Sequence, residues 1–149
     1  MAEPFPPSFG PLLSQTARQW RRAVDERLQP YGLTEATWLP LIRVARASAP
    51  MRQKDLAASL SLDGSSVVRL LDNLERANLI ERREGDSDRR AKAIFLTRRG
   101  RAIVDKVEAS ARAVRETALG GLSKAEVETA MRVMQHICNV LSREEEAVA

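Results

Sequence analysis

A chain of 149 residues that is 44% hydrophobic and 30% charged fits one globular domain and is too rich in apolar residues to be disordered. A formal charge of +4 and a pI near 9.8 favour an anionic partner, and the single cysteine, Cys138, excludes an intrachain disulfide. The opening MAEPFPPSFG has neither the basic patch nor the apolar run of a secretory signal, and no apolar run approaches the roughly 20 residues that span a bilayer, so a soluble protein of a reducing cytoplasm is expected, with no membrane partner.

Residues 1–10, with Pro4, Pro6 and Pro7, read as an extended arm. Pro11 suits the first turn of a helix, along which Leu13, Ala17, Trp20, Val24 and Leu28 recur at spacings of three and four. Pro30-Tyr31-Gly32 ends it. Thr34 is a candidate cap for a second helix reaching about Ala47, with Glu35 in its first turn. Pro40 lies inside that helix, removes one backbone hydrogen bond and predicts a bend; it either follows its neighbours or opens a pocket beside Trp38.

Ser48-Ala49-Pro50 is a turn. Gln53 to Leu60 then makes a short helix, and Asp63 caps a longer one over about 64–78, so residues 53–78 have the order of a helix-turn-helix. Two strands within 79–96, around the polar run EGDSDRRAK, add a hairpin directly after the second helix, as a winged helix requires. Thr97 caps a helix to about Leu119 with Ile103, Val107, Ala111, Val114 and Ala118 on one face. After Gly120-Gly121, Ser123 and Glu126 have the spacing of a capping box for the last helix. There Val127, Met131, Met134, Cys138 and Leu141, widened by Ala130, Ile137 and Val140, form a stripe too broad for one winged helix to cover. The expectation is a mainly α fold with a small β-hairpin, paired into a homodimer through helices at about 11–30 and 98–146.

The chemistry concentrates in the second helix of the pair and the hairpin. Between Arg76 and Arg101, nine basic residues face four acidic ones, a local excess larger than the net charge of the chain. Val67, Leu70, Leu71 and Leu74 form an apolar seam, and Ser65, Ser66, Arg69, Asn73 and Arg76 occupy the opposite side. Small residues at the start of a helix let its backbone approach a major groove, and a guanidinium one turn deeper can fork onto a guanine. Asp72 and Glu75 would repel DNA, so they should point away from it or pair with arginines such as Arg69 and Arg76. In the hairpin, Arg89, Arg90 and Lys92 can follow the phosphates and enter a minor groove, with Asp88 steadying one arginine.

The run VVRLLDNLERANLIERREGDSDRRAKAIFLTRRG resembles the core of the MarR family of regulators, SlyA-like members in particular. The wing signature of that family, Asp-x-Arg, five residues, then Leu-Thr-x-x-Gly, is matched by Asp88, Arg90, Leu96, Thr97 and Gly100. LTEATWLPLIRVA and RQKDLAASLSL extend the likeness, and the flanking helices carry it over nearly the whole chain, 11–149. One departure is Arg52, where the family often has a small hydroxyl residue; a phosphate contact there would replace a helix cap. The resemblance implies a dimer with interlocked terminal helices on a palindromic double-stranded DNA operator, with Ser65, Ser66 and Arg69 meeting bases and Arg90 at the wing tip, oriented by Asp88. It also implies, for many members, a small aromatic or anionic effector held between the dimerisation helices and the DNA-binding lobe. Position and chemistry alone nominate Trp20, Trp38, Arg18 and Arg43 for that pocket, with core packing the commoner role of the two tryptophans.

Two other readings remain open. A winged helix can serve as a protein-interaction scaffold, its basic wing meeting an acidic surface. Cys138 could act as a redox switch on a regulator, although its core-facing position and the lack of a second cysteine favour a structural role. The lone His136 has no partners spaced for a metal, and no nucleophile–base pair or phosphate loop occurs, so neither an enzyme nor a cofactor is expected.

Overall fold

The computed structural model describes the backbone of residues 4–85 and 88–148; the side chains of residues 85–91 and 145–148 lie outside the description. Two compact units are present, Met1–Val114 and Arg115–Ala149.

The first unit opens with α1 (Phe9–Leu28), which begins two residues before Pro11 because the Leu12 N–H already reaches the Ser8 carbonyl at 3.0 Å. Pro11 therefore falls in the first turn, where a missing N–H has no helical partner to lose. A tight turn, Gln29–Tyr31, closes on Gly32 in the left-handed region at φ 68°. Helix α2 (Glu35–Arg46) runs through Pro40. The short α3 (Gln53–Leu60) stops at Ser61, at φ 52°, and α4 (Gly64–Arg76) stops before Asn78, at φ 59°.

The missing cap at Arg52 has been replaced from the other side. Asp55, three residues on, accepts the Arg52 backbone N–H at 3.0 Å, which is half of a capping box. An arginine side chain carries no acceptor and cannot supply the other half.

The hairpin is longer than its side chains indicate. Strands β2 (Ile80–Gly85) and β3 (Asp88–Leu96) pair antiparallel, from Ile80 opposite Leu96 to Gly85 opposite Asp88, with an irregularity at Glu84/Gly85. The run expected to be a loop is therefore mostly strand in its backbone. A third strand, β1 (Met51–Arg52), pairs with Ile94 and Ala93, so the sheet order is β1-β3-β2. Met51-Arg52 is too short to show alternation, so no side-chain period marks it as a strand.

Two apolar clusters hold the unit. One joins Leu41 of α2, Leu56 and Ala57 of α3, Val67, Leu71 and Leu74 of α4, and Leu79, Ile80, Ile94 and Leu96 around the sheet. Each large aliphatic buried there contributes about 1.5–3 kcal/mol. The other joins Val24 and Leu28 of α1, Leu33, Trp38 and Ile42, with Val107 and Val114 of α5 (Arg98–Leu119).

In the second unit, the chain turns at Gly121, at φ 87°, and enters α6 (Lys124–Val148) through a reciprocal capping box. Glu126 accepts the Ser123 N–H at 2.7 Å, and the Ser123 hydroxyl accepts the Glu126 N–H at 3.1 Å. The apolar stripe of α6 is largely uncovered, with Met131 62% and Leu141 55% exposed, and Cys138 is exposed too rather than core-facing. Among the described residues no helix is long and apolar enough to cross a membrane.

Candidate nucleic-acid interface

Helix α4 carries the candidate reading residues on one solvent-facing row. Val67, Leu71 and Leu74 are buried, while Ser65, Ser66, Arg69 and Asn73 are all exposed. The helical repeat separates these rows because residues three and four apart share a face. Leu70, expected in the seam, is half-buried.

Asp63 organises the start of the helix. Its Oδ1 accepts the Ser66 backbone N–H at 2.7 Å and the Ser65 hydroxyl at 2.8 Å. The Ser66 N–H first, and then the two serine hydroxyls, lower the carboxyl below its ordinary range. With its proton committed to Asp63, the Ser65 hydroxyl presents lone pairs outward, which suits a donor such as a base amino group.

Asp72 and Glu75 do not pair with Arg69 or Arg76. Both meet Arg82 of β2, whose Nη2 lies 2.6 Å from Asp72 Oδ1 and whose Nε lies 2.5 Å from Glu75 Oε2. The hydrogen bond to Asp72 does most to raise the Arg82 pKa, partial burial opposes it, and Glu75 adds to it. Arg76 donates to Asn73 Oδ1 at 3.4 Å, and among the described residues Arg69 has no hydrogen-bond or ion-pair partner. The sequence places Arg82 in a strand; only the folded register brings it over two carboxylates a helical turn apart.

In the wing, Lys92 is exposed and Arg83 lies 4.8 Å from the ring centre of Phe95. The side chains of Asp88, Arg89 and Arg90 lie outside the described residues. Behind the wing, the Thr97 hydroxyl donates to the Asn78 carbonyl at 2.7 Å and accepts the Gly100 N–H at 3.0 Å, while the Thr97 N–H donates to the Leu79 carbonyl at 3.1 Å. The end of α4 is thereby fastened to the start of α5.

The four residues nominated for an effector do not form one pocket. Trp38 is 8% exposed inside the second cluster and Trp20 packs against its edge, whereas Arg18 and Arg43 are exposed on α1 and α2. The Trp38 Nε1 is buried without a hydrogen-bond partner among the described residues. A cleft of about 510 Å³ does open beside Pro40, walled by Ala36 and Leu39 of α2, Leu60 and Leu62, and Ser66 and Leu70 of α4. A proline has no N–H for the Ala36 carbonyl one turn back, and both residues line this cleft rather than the surroundings of Trp38. A second hollow of about 310 Å³ lies between Arg27, Tyr31 and Lys106, with Lys106 Nζ 4.8 Å from the Tyr31 ring centre. Among the described residues no cluster of acidic, histidine or cysteine side chains could hold a metal.

The MarR family model matches residues 33–92, which contain α2 to α4 and most of the hairpin. The transcriptional regulator PA3341 is 38% identical, covering 91% of this chain and 98% of its own, with a TM-score of 0.82. CouR from Rhodococcus jostii RHA1, in a structure bound to p-coumaroyl-CoA, is 30% identical over 88% of this chain and 92% of its own, with a TM-score of 0.75. MepR from S. aureus, in complex with DNA, is 25% identical over 89% of this chain and 96% of its own, with a TM-score of 0.76. With the helix-turn-helix, the wing and the Leu-Thr-x-x-Gly turn all in place, the chain belongs to the MarR family of transcriptional regulators.

Proposed function

We propose that this regulator binds an inverted repeat in double-stranded DNA as a homodimer, represses transcription there, and is released by a small aromatic or anionic effector. The observation that carries the DNA reading is the exposed row Ser65, Ser66, Arg69 and Asn73 on α4, backed by a buried seam and followed by a basic wing. Ser65, Ser66 and Arg69 read bases, and Asn73 lies one turn further along the same face. Arg89, Arg90 and Lys92 supply affinity and register along the backbone, and Asp88 orients Arg90. Within the family, the run from Val67 to Gly100 is the feature on which we place the chain with SlyA-like members.

A second copy of the chain covers the exposed apolar residues of α1 (Phe9, Leu12 and Leu13) and of α6 (Met131, Met134 and Leu141). A two-fold dimer sets two recognition helices about one turn of DNA apart, which is why the operator is an inverted repeat. The effector reading rests on the cleft beside Pro40; the unpartnered Trp38 N–H lies apart from it, inside the second apolar cluster. That reading is also supported by MarR-family likeness to CouR, whose structure holds an aromatic thioester.

Selection of bound fragments from the organism's genomic DNA tests the central reading. A shared palindrome is expected, and Arg69→Ala should lose roughly 1–3 kcal/mol on it and relax one base position. Arg90→Ala should weaken binding more evenly across sequences. Weak, uniform affinity for all duplexes would instead indicate a protein-interaction module.

A further inference from the structure

We propose that Arg82 is a positioning residue for DNA recognition: its guanidinium fork fastens the first wing strand to the recognition helix and so fixes the helix at the angle that reads bases. The inference rests on the DNA-binding function proposed above. Helix α4 has two carboxylates one turn apart, Asp72 and Glu75, on a protein whose partner is a polyanion. Arg82 takes both at once, Nη2 to Asp72 at 2.6 Å and Nε to Glu75 at 2.5 Å, with its own side chain only 24% exposed. Two bonds from one planar group fix the orientation of the two elements, whereas a single ammonium would restrain only a distance.

The neighbouring ties act at other points. Thr97 holds the end of α4 through Asn78, and Leu74, Leu79 and Ile80 pack beneath. These ties lie at the end of α4 and beneath it, not on its outer face. The fork sits on that outer face, between the exposed reading row and the strand that leads to Arg89 and Arg90.

Charge alone and positioning predict different outcomes. If Arg82 only offset two negative charges, Arg82→Gln would weaken all DNA binding evenly, and Asp72→Asn with Glu75→Gln would strengthen it evenly. Neither change would alter the ratio of operator to random-duplex affinity. If the fork positions the helix, both variants lower that ratio, by roughly tenfold, and the carboxylate double variant does so while its affinity for random duplex rises. Arg82→Lys should recover less than half of the loss on a logarithmic scale.

The test is fluorescence anisotropy on the selected operator and on a scrambled duplex of equal length, with amide hydrogen exchange on the free proteins. Faster exchange over residues 64–76 and 80–85 in both variants, with a reduced ratio, supports the positioning role. An unchanged ratio in the double variant overturns it, and that variant keeps the test decisive should Arg82→Gln fail to fold. If the parent protein shows no operator preference, the DNA-binding function fails at that step, before any variant is compared. Unchanged exchange over those residues would then overturn the fork as a restraint as well.

Discussion

Single positions decide how tightly the reading unit is built. A Cβ added at Gly100 would collide with the Leu79 carbonyl oxygen, part of the backbone at the exit of α4. Because backbone must move, Gly100→Ala should lower stability by about 1–3 kcal/mol or more, read as a shift in the urea midpoint. Asp63 makes a prediction of the opposite kind, in pH rather than in packing. Its carboxyl is held below the ordinary range by the Ser66 N–H and the Ser65 hydroxyl. Its contribution is therefore fully present above the unfolded value of about 3.9 and is lost as the pH falls through the lower folded value. Asparagine can still cap but does not titrate there. Asp63→Asn should accordingly lose less thermal stability than the parent between about pH 5 and about pH 3, measured by circular dichroism.

At the scale of elements, residue types that repeat with a period announced themselves. The seam of α4 and the cap at Asp63 were legible because a helix imposes a spacing of three and four on whatever it buries. Leu71, fully buried at the centre of that seam, makes the matching prediction: Leu71→Ala should cost about 2–5 kcal/mol in chemical denaturation, whether or not DNA is present. The outer hairpin was not legible. Its pairing near Glu84 and Lys92 is made by backbone groups, and the side chains there are charged with no alternation to betray a strand. Strand β1 was hidden for a related reason, since two residues cannot show a period. Asp72 and Glu75 do pair with an arginine, but helix spacing points only to candidates on the same helix, such as Arg69 and Arg76, and the partner is Arg82, across the register of a strand. The alternative of a pocket beside Trp38 is not what forms: the cleft opens beside Pro40, where α2 faces the turn between α3 and α4, a long-range pairing that no local spacing announces.

For the whole molecule the unresolved balance is apolar surface. Helix α6 shows Met131, Met134, Val140 and Leu141 to solvent, an expense that a monomer would have little reason to carry. Charges placed there should separate the subunits. Met131→Glu with Leu141→Glu should sediment as a monomer at concentrations where the parent is a dimer, and should lose operator affinity by roughly a hundredfold or more, because two linked half-sites become two independent weak ones. A parent that sediments as a monomer at micromolar concentration would remove the dimer from the proposal. Cys138 lies on the same helix, so its reactivity toward thiol reagents gives an independent measure of whether the stripe is covered.

The ties around Thr97 also bear on how this segment can change over evolutionary time. Met51 and Arg52 pair with Ile94 and Ala93, Asp72 and Glu75 meet Arg82, and Thr97 joins Asn78, Leu79 and Gly100. A recombination breakpoint anywhere between residues 52 and 97 would sever at least one of these links and leave mismatched halves from two parents. Breakpoints before residue 51 or after residue 100 sever none of them. The reading unit would then be inherited as one block, exchangeable only among chains that keep the apolar contact Leu41 of α2 makes with it.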